Sequence, residues 1–195
     1  MGKRITIIQG HPDGQARHFN HVLADEYAKG CEDGGHEVRR IEVARLEFPL
    51  LRTNDEFEKG TPPDSIKQAQ DAIRWADHLV IFYPLWLGSM PALLKAFLEQ
   101  VFRPGVAFEY RAQGKMAKKL FTGKSARIVV TMGMPALVYR WFFLAHSLKS
   151  LERNILAFCG IKPTRATLIG QVEGMNERQR ASWLDEMRGL GDVGK

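Results

Sequence analysis

The chain has 195 residues, of which 45% are hydrophobic and 26% charged, a composition typical of an ordinary globular protein. No apolar run approaches the roughly 20 residues of a transmembrane helix, and the first residues do not resemble a signal peptide, so we expect a cytoplasmic protein without membrane insertion. The net charge of +6 suits an anionic ligand, whereas basic and aromatic residues are not interleaved as nucleic-acid binding would require. The two cysteines, Cys31 and Cys159, are expected to be reduced thiols in the core.

Apolar stretches of strand length alternate with segments of helical spacing along the chain. Strands are predicted over 5–9, around Val38, Ile41 and Val43, and over 79–83, 126–132 and 164–169. Helices are predicted from about residue 17 to Gly34, from a cap at Asp64 to residue 76, after Pro91, and over 147–158 and 177–190. Residues 108–119 are predicted to form a hairpin. The alternation indicates an α/β protein with a doubly wound parallel sheet and helices on both faces, which we expect to be a single domain over 1–195.

The segment from residue 79 to 103 combines a strand, a loop and a helix. Pro84 has no N–H and is predicted to end the sheet ladder, whereas Pro91 lies in the first helical turn, where a missing N–H costs nothing. On the helix, Lys95, Glu99 and Arg103 recur every four residues and predict a solvated stripe. Ligands of an open α/β sheet bind at the carboxyl edge of the strands, which is where the loop of this segment is expected.

Two further loops, after the first and fourth strands, are expected at the same edge. The first, residues 10–20, places His11, Arg17 and His18 around the start of a helix, where free N–H groups and the helix dipole suit a phosphate group. It lacks the glycine pattern of dinucleotide-binding folds and the lysine of a P-loop. An ordinary turn with surface histidines would have the same composition.

The loops after the third and fourth strands suit a planar ring. In residues 84–89, Trp86 and Leu87 would form a wall, although Trp86 would equally suit the protein core. In residues 131–139, Gly133 allows the backbone to approach a ligand, and Tyr139 and the later His146 offer protons; a buried tyrosine at a helix start is the alternative. Paired carboxylates, a Ser-His-Asp order and metal-ligand spacing do not stand out. We therefore expect no metal site, and a protein that holds a redox cofactor.

Four groups of motifs follow one another along nearly the whole chain: Ile7-Ile-Gln-Gly-His-Pro12 with Phe19-Asn20, Tyr83-Pro-Leu-Trp86 with Pro91-Ala-Leu-Leu-Lys95, Thr131-Met-Gly133 with Tyr139, and Ile155-Leu-Ala-Phe-Cys-Gly160. In these motifs the sequence resembles the flavodoxin-like NAD(P)H:quinone oxidoreductase family, which includes DT-diaphorase and the bacterial modulator of drug activity. The resemblance implies a five-stranded parallel sheet in the order 2-1-3-4-5, a homodimer, and a flavin at the carboxyl edge.

Carried over residue by residue, the resemblance also implies the site. The flavin phosphate would lie against His11, Arg17, His18, Phe19 and Asn20. The isoalloxazine ring would be flanked by Pro84, Leu85, Trp86 and Leu87, and its pyrimidine side would be approached by Thr131, Met132 and Gly133. The catalytic pair would be Tyr139 and His146, which stabilise charge on the reduced flavin. His146 sits one residue later than the family pattern, and Arg17 and His18 replace small hydroxyl residues of many relatives.

The implied function is transfer of hydride from NADH or NADPH through a bound flavin to a quinone or similar acceptor. The short chain favours FMN, because little of it is left to cover an adenosine, and FAD is the alternative. Two other functions stay open at this point: a regulatory ancillary flavoprotein subunit of a membrane transporter, and an electron carrier of the flavodoxin type. In a homodimer, residues 48–58 or 108–119 of the partner would cover the flavin.

Overall fold

The computed structural model describes residues 2–111 and 117–195. Its strands are β1 (Arg4–Gln9), β2 (Glu37–Glu42), β3 (His78–Pro84), β4 (Phe108–Glu109), β5 (Lys118–Lys119), β6 (Ser125–Thr131) and β7 (Thr164–Ile169). Five of them form a parallel sheet in the order β2-β1-β3-β6-β7, and β4 pairs with β5 in an antiparallel ribbon. Counted within the large sheet alone, this order is 2-1-3-4-5, so the predicted topology is confirmed.

Helices cover both faces of the sheet. They are α1 (Phe19–Asp33), α2 (Asn54–Lys59), α3 (Asp64–Trp75), α4 (Ala92–Val101), α5 (Ala136–Trp141), α6 (His146–Ser150), α7 (Ala157–Cys159) and α8 (Glu177–Asp192). A 3-10 turn, Val43–Arg45, follows β2, and a π-helical turn, Leu151–Leu156, joins α6 to α7. Helices α1 and α8 lie on one face, and α3, α4 and the segment from α5 to α7 lie on the other. Within the described ranges, none of the helices has both the length and the apolar character needed to cross a bilayer.

The central strands are apolar on both sides because both of their faces are covered. Along β3, Leu79 and Ile81 face the core under α3 and α4, whereas Val80 and Phe82 face the core under α1 and α8. Such strands read as continuous apolar runs, which is why the sequence predicts them well. Cys31 and Cys159 are buried free thiols, as predicted.

Pro84 does not end the ladder with β6, contrary to the prediction. It is the last residue of β3 and pairs in register with Thr131, and the next residue, Leu85, donates its N–H to the Thr131 carbonyl oxygen at 2.8 Å. Successive N–H groups of a strand point to opposite sides, so the missing N–H of Pro84 faces β1. On that side the ladder does stop short of Pro84, because β1 ends at Gln9, which pairs with Phe82, and the Gly10 N–H donates to the Phe82 carbonyl oxygen at 2.7 Å.

The predicted solvated stripe on α4 is wrong at its last residue. Lys95 and Glu99 are exposed and form an ion pair, but Arg103 is buried. α4 has ended before Arg103, whose Nη1 instead donates to the carbonyl oxygens of Glu56 and Gly60 at 2.9 and 2.6 Å. These carbonyls lie at the C-terminal end of α2, where the helix dipole favours a cation.

Short elements account for the remaining differences. α2 was not predicted, although Thr53 marks its start as an N-cap that accepts a hydrogen bond from the Glu56 N–H at 3.1 Å. Val43 belongs to the 3-10 turn and not to the second strand, and Asp64 is the first residue of α3, whose cap is Pro63. α5 was also missed. The β4–β5 ribbon agrees with the predicted hairpin, of which residues 112–116 lie outside the described residues.

Candidate functional site

Three loops meet at the carboxyl edge of the sheet: loop 1 (10–18) after β1, loop 2 (85–91) after β3, and loop 3 (132–135) after β6. Loops 1 and 2 are joined by His11 and Trp86, whose ring centroids lie 6.2 Å apart with an edge-on interplanar angle of 77°. Asn20, just after loop 1, donates from Nδ2 to Thr131 Oγ1 at 3.1 Å. The sequence places these loops at one edge, and the structure shows that their side chains touch.

Asp13 organises loop 1. Its Oδ1 accepts hydrogen bonds from the N–H groups of Gln15 and Ala16 at 2.8 and 3.2 Å, and its Oδ2 lies 2.8 Å from His18 Nε2. The hydrogen bond with His18, followed by the two backbone donors, holds the pKa of Asp13 well below its usual range. Asp13 therefore stays ionised and fixes His18 at the start of α1. Sequence reasoning missed this role, although an Asp followed by Gly is a typical turn signal.

His11, His18 and His21 form a histidine cluster between loop 1 and the first turn of α1. The ring of His11 is stacked on that of His18 with centroids 4.1 Å apart, and it lies 4.9 Å from that of His21. His21 Nδ1 accepts a hydrogen bond from the N–H of His18, the N-cap of α1, at 3.1 Å. Burial, followed by the neighbouring His18 and His21, lowers the pKa of His11 to about 4. His21 was not predicted as a site residue; its three-residue spacing from His18 is the signal that could have found it.

Arg17 and Phe19 find their partners outside the histidine cluster. The exposed Arg17 pairs with Asp25 of α1 at 3.0 Å, and Asp25 also pairs with Arg40 of β2 at 2.7 Å. The ring of Phe19 packs on the core under α1 and α8, with the guanidinium carbon of Arg180 5.0 Å from its centroid. Neither side chain contacts the three histidines through a hydrogen bond in the described residues.

Asn20 is buried, with 2% of its surface exposed, and lies between loops 1 and 3. Its main-chain carbonyl oxygen accepts a hydrogen bond from Gln9 Nε2 at 3.2 Å, and its side-chain Nδ2 donates to Thr131 Oγ1. Its Oδ1, however, has no hydrogen-bond partner among the residues that the structure describes. A buried acceptor without a partner is costly in a folded protein, so this atom marks a place where a ligand donor would be favourable.

Loop 2 presents Trp86 and Leu87 on a tight turn. Trp86 and Ser89 exchange backbone hydrogen bonds of 2.8 and 2.9 Å, and the two residues between them, Leu87 and Gly88, have φ of 47° and 75°. Two positive φ values define the primed turn that glycine and asparagine favour, so Gly88 suits it and Leu87 is strained. Trp86 is 51% exposed and Leu87 is fully exposed, which excludes the core interpretation of Trp86.

Loop 3 is tied to the segment after β7. The N–H of Met132 donates to Ile169 O at 2.9 Å, and Met132 O accepts from the N–H of Val172 at 3.2 Å. Thr131 and Met132 are buried, whereas Gly133 is exposed. The exposed backbone at Gly133 is therefore available to a ligand at the same edge as Asn20.

The hydroxyl of Tyr139 on α5 is engaged by Ser147 and not by His146. It lies 2.7 Å from Ser147 Oγ and accepts the N–H of Leu148 at 3.2 Å, and Tyr139 is buried. His146 is exposed at the start of α6. The chain reverses between these helices through Leu144 and Ala145, with φ of 53° and 49°, and this reversal brings Ser147 onto Tyr139.

The sequence model of a protein family described as having a flavodoxin-like fold matches residues 3–189. The chain belongs to this family. An uncharacterized NAD(P)H oxidoreductase of Haemophilus influenzae is 26% identical over 183 residues, covering 92% of this chain and 89% of that protein. An FMN-dependent NADH:quinone oxidoreductase of Clostridium beijerinckii is 27% identical over 172 residues, covering 83% of this chain and 82% of that protein. The solved structure of an NAD(P)H:quinone oxidoreductase from Methanothermobacter marburgensis superposes with a TM-score of 0.81 at 21% identity, covering 98% of this chain and 96% of that chain.

These matches confirm the flavodoxin-like resemblance stated from the motifs. In this flavodoxin-like chain, the structure brings together His11, His18, Asn20, Trp86 and Thr131 at one edge of the sheet. Pro84 and Leu85 continue β3 into that edge, next to Thr131. Within the described residues, no hydrogen bond joins Tyr139 to His146. The roles assigned to individual residues stay predictions.

Proposed function

We propose that the chain is a flavin-dependent NAD(P)H:quinone oxidoreductase, with FMN as its cofactor and a quinone or similar molecule as the acceptor. A bound flavin supplies the hydride chemistry, accepting two electrons from the nicotinamide and passing them on. The names of relatives that share most of the chain support this function. The observation that carries it is the meeting of the histidine cluster, Asn20 and Trp86 at the carboxyl edge.

The residues at this edge fit the three parts of a flavin mononucleotide. The start of the 15-residue helix α1, with the histidine cluster beside it, suits the phosphate group. The unpartnered Oδ1 of Asn20 suits a hydroxyl donor, which the ribityl chain offers. The half-exposed Trp86 offers a flat apolar surface to the ring system, and the backbone at Gly133 can reach its polar edge.

Tyr139 is proposed to lie near the rim of the ring and to stabilise negative charge there. The contacts of its hydroxyl with Ser147 and the Leu148 N–H hold it in one orientation. A hydroxyl that accepts the backbone N–H still has its own proton to donate, to Ser147 Oγ or to a ligand. The Tyr139→Phe variant should therefore keep its flavin and turn over more slowly, and the His146→Gln variant shows whether the exposed His146 contributes.

FMN is proposed rather than FAD for two reasons. First, a relative that this chain matches over 82% of the relative's length is named as FMN-dependent. Second, this chain has 195 residues, which leaves little of it to cover an adenosine. Releasing the flavin with acid and identifying it by chromatography decides between the two cofactors. The same sample tests whether any flavin is bound.

A homodimer is proposed as the assembly, with the partner's residues 48–58 or 108–119 over the flavin. Both segments expose apolar side chains, since Leu50 and Tyr110 are each 60% exposed. Phe57 and Tyr110 also line one apolar groove of about 280 Å³, which a partner would cover. Light scattering of the purified protein tests the assembly, and a monomer would contradict it.

The function is tested by steady-state kinetics on the flavin-loaded protein with NADH or NADPH and a quinone. We expect ping-pong kinetics, because nicotinamide and quinone would use the same face of the ring in turn. The Trp86→Ala variant should retain less flavin than the parent with little loss of stability. Trp75→Ala is the matched control, because Trp75 is a partly exposed tryptophan at the opposite edge of the sheet, stacked on Arg39. A flavin-loaded protein that oxidises neither nucleotide would refute the proposed function.

A further inference from the structure

The three rings of the histidine cluster are too close to one another to be charged together. Their centroids lie 4.1 Å apart for His11 and His18, 4.9 Å for His11 and His21, and 5.7 Å for His18 and His21. Like charges at such distances disfavour protonation, and an opposite charge at the same distance favours it. Asp13 already places an opposite charge 2.8 Å from His18 Nε2, so the rings left to respond to an incoming anion are those of His11 and His21.

His11 is the member best placed to respond to such an anion. Its side chain is buried, and its Nδ1 accepts the N–H of Asp13 at 3.1 Å, so its neutral form carries the ring hydrogen on Nε2. That Nε2 has no hydrogen-bond partner in residues 2–111 and 117–195. Burial and the two neighbouring imidazoles lower the pKa of His11 to about 4, so the ring is neutral in the free protein at pH 7.

The charged groups around the cluster already compensate one another. A polar cavity of about 230 Å³ beside His11 and His21 is also lined by Arg17, Asp25, Arg40, Glu42 and Arg45. Arg17 and Arg40 both pair with Asp25, Arg45 pairs with Glu42 at 2.7 Å, and Asp13 is bonded to His18. No unpaired arginine of this cavity is left in the described residues to neutralise a phosphate. Beyond the partial positive charge at the start of α1, the charge that balances an incoming dianion is therefore assigned to the imidazoles.

We propose that the histidine cluster is a proton-linked clamp for the phosphate group of the flavin, which takes up a proton from solvent on an imidazole nitrogen when FMN binds. This inference rests on the flavin site proposed above. It assigns His21, together with His11 and His18, to the discrimination of FMN from riboflavin. Because a proton enters with the ligand, the preference for FMN over riboflavin increases as the pH falls.

The sign follows from the two states of the cluster. The phosphate raises the pKa of an imidazole beside it. At a pH between the pKa of the free protein and that of the FMN-bound protein, binding therefore takes up a proton, and FMN affinity rises as the pH falls. One proton per ligand changes the dissociation constant by up to about tenfold per pH unit. The window closes at low pH, because a phosphate monoester itself becomes a monoanion near about pH 6. The informative range is therefore from about pH 6.5 to about pH 8.5.

Isothermal titration calorimetry of the flavin-free protein tests the proposal. FMN and riboflavin are titrated at one pH in two buffers of different ionisation enthalpy, which gives the number of protons exchanged. We expect the protein to take up between about half and one proton when it binds FMN, and none when it binds riboflavin. Proton uptake near zero for FMN, or an FMN-to-riboflavin affinity ratio that does not change with pH, would overturn the clamp. If neither flavin binds at any pH, the proposed function itself has failed.

The His21→Gln variant separates proton uptake by His21 from the role of His21 in capping α1. A glutamine at the third helical position can still accept the N–H of the N-cap, so the start of α1 is preserved. We expect FMN affinity to fall about tenfold at pH 7, proton uptake to decrease, and the pH dependence of the affinity ratio to flatten. His36→Gln is the control, because His36 lies at the other edge of the sheet, where its Nδ1 accepts the Lys3 N–H. The proton uptake of the His36→Gln protein on binding FMN should match that of the parent. A His21→Gln protein with parental proton uptake would exclude His21 from the clamp.

Discussion

Replacement of Asn20 by alanine separates a structural role of this residue from a ligand-binding one. In the free protein Asn20 makes one side-chain hydrogen bond, to Thr131 Oγ1 at 3.1 Å, and leaves Oδ1 without a partner among the described residues. Loss of that hydrogen bond costs about 1 kcal/mol, whereas removal of a buried unpartnered acceptor returns about 1–3 kcal/mol. The return equals or exceeds the loss, so we expect the stability of the free protein to stay the same or to rise by up to about 2 kcal/mol.

The flavin-bound protein should respond differently. If Oδ1 accepts a hydroxyl of the ligand, Asn20→Ala removes that hydrogen bond, and FMN affinity should fall about tenfold, which corresponds to about 1.4 kcal/mol. Thermal melts with and without FMN, together with quenching of flavin fluorescence, measure both quantities. For a chain of this length, 1 kcal/mol moves the melting temperature by about 2–4 °C.

The control is Asn154→Ala, which removes an exposed asparagine whose Nδ2 makes only a 3.4 Å contact with Ser150 Oγ. We expect this variant to match the parent in both measurements. A fall of many degrees in the melting temperature of flavin-free Asn20→Ala would show that Asn20 is mainly structural. Unchanged FMN affinity would refute the assignment of Oδ1 to the ligand.

Three further predictions concern stability. Leu87→Asn should raise the free energy of unfolding by about 0.5–1 kcal/mol in urea titrations, because Leu87 is exposed at φ 47° and asparagine tolerates that backbone; a loss would mean that the leucine side chain has a partner. Arg103→Met should lower stability by about 2 kcal/mol and speed hydrogen exchange in α2, because two carbonyls lose a buried charged donor; parental exchange rates would contradict this. Hydrogen bonds from the side chain and N–H of Arg4 lower the pKa of Asp77 to about 2, so its contribution is present above about pH 4 and is lost as the pH falls towards 2. Asp77→Asn should therefore lose less stability than the parent over that range in acid titrations, and equal losses would show that the pair contributes nothing.

The fold was predictable where burial leaves a clear pattern. Strands β1, β3 and β6 are buried on both faces, so each reads as an apolar run whatever its neighbours are. α2 and α5 were missed, because each has six residues, which make too few turns to show helical spacing. The burial of Arg103 was missed for another reason, since its carbonyl partners, in α2 and at the cap just after it, are 47 and 43 positions away.

The site was predictable to the level of its loops, and less so for its side-chain contacts. His11, His18 and Trp86 were named from local motifs, and the structure places them together. Asp13 and Ser147 were not named. Asp13 acts through the turn that it forms with its own backbone neighbours, and Ser147 meets Tyr139 only because the chain reverses at Leu144 and Ala145.

By itself, the sequence determined the alternation of strands and helices and therefore which loops lie at the carboxyl edge, because parallel strands with crossover helices return every such loop to the same side. Only the tertiary structure decided which side chains of those loops meet. The contact between Asn20 and Thr131 joins residues 111 positions apart and depends on the register of three neighbouring strands, β1, β3 and β6. Local spacing carries no information on that register, so the unpartnered oxygen of Asn20 and the stacked histidines became visible only once the sheet was assembled.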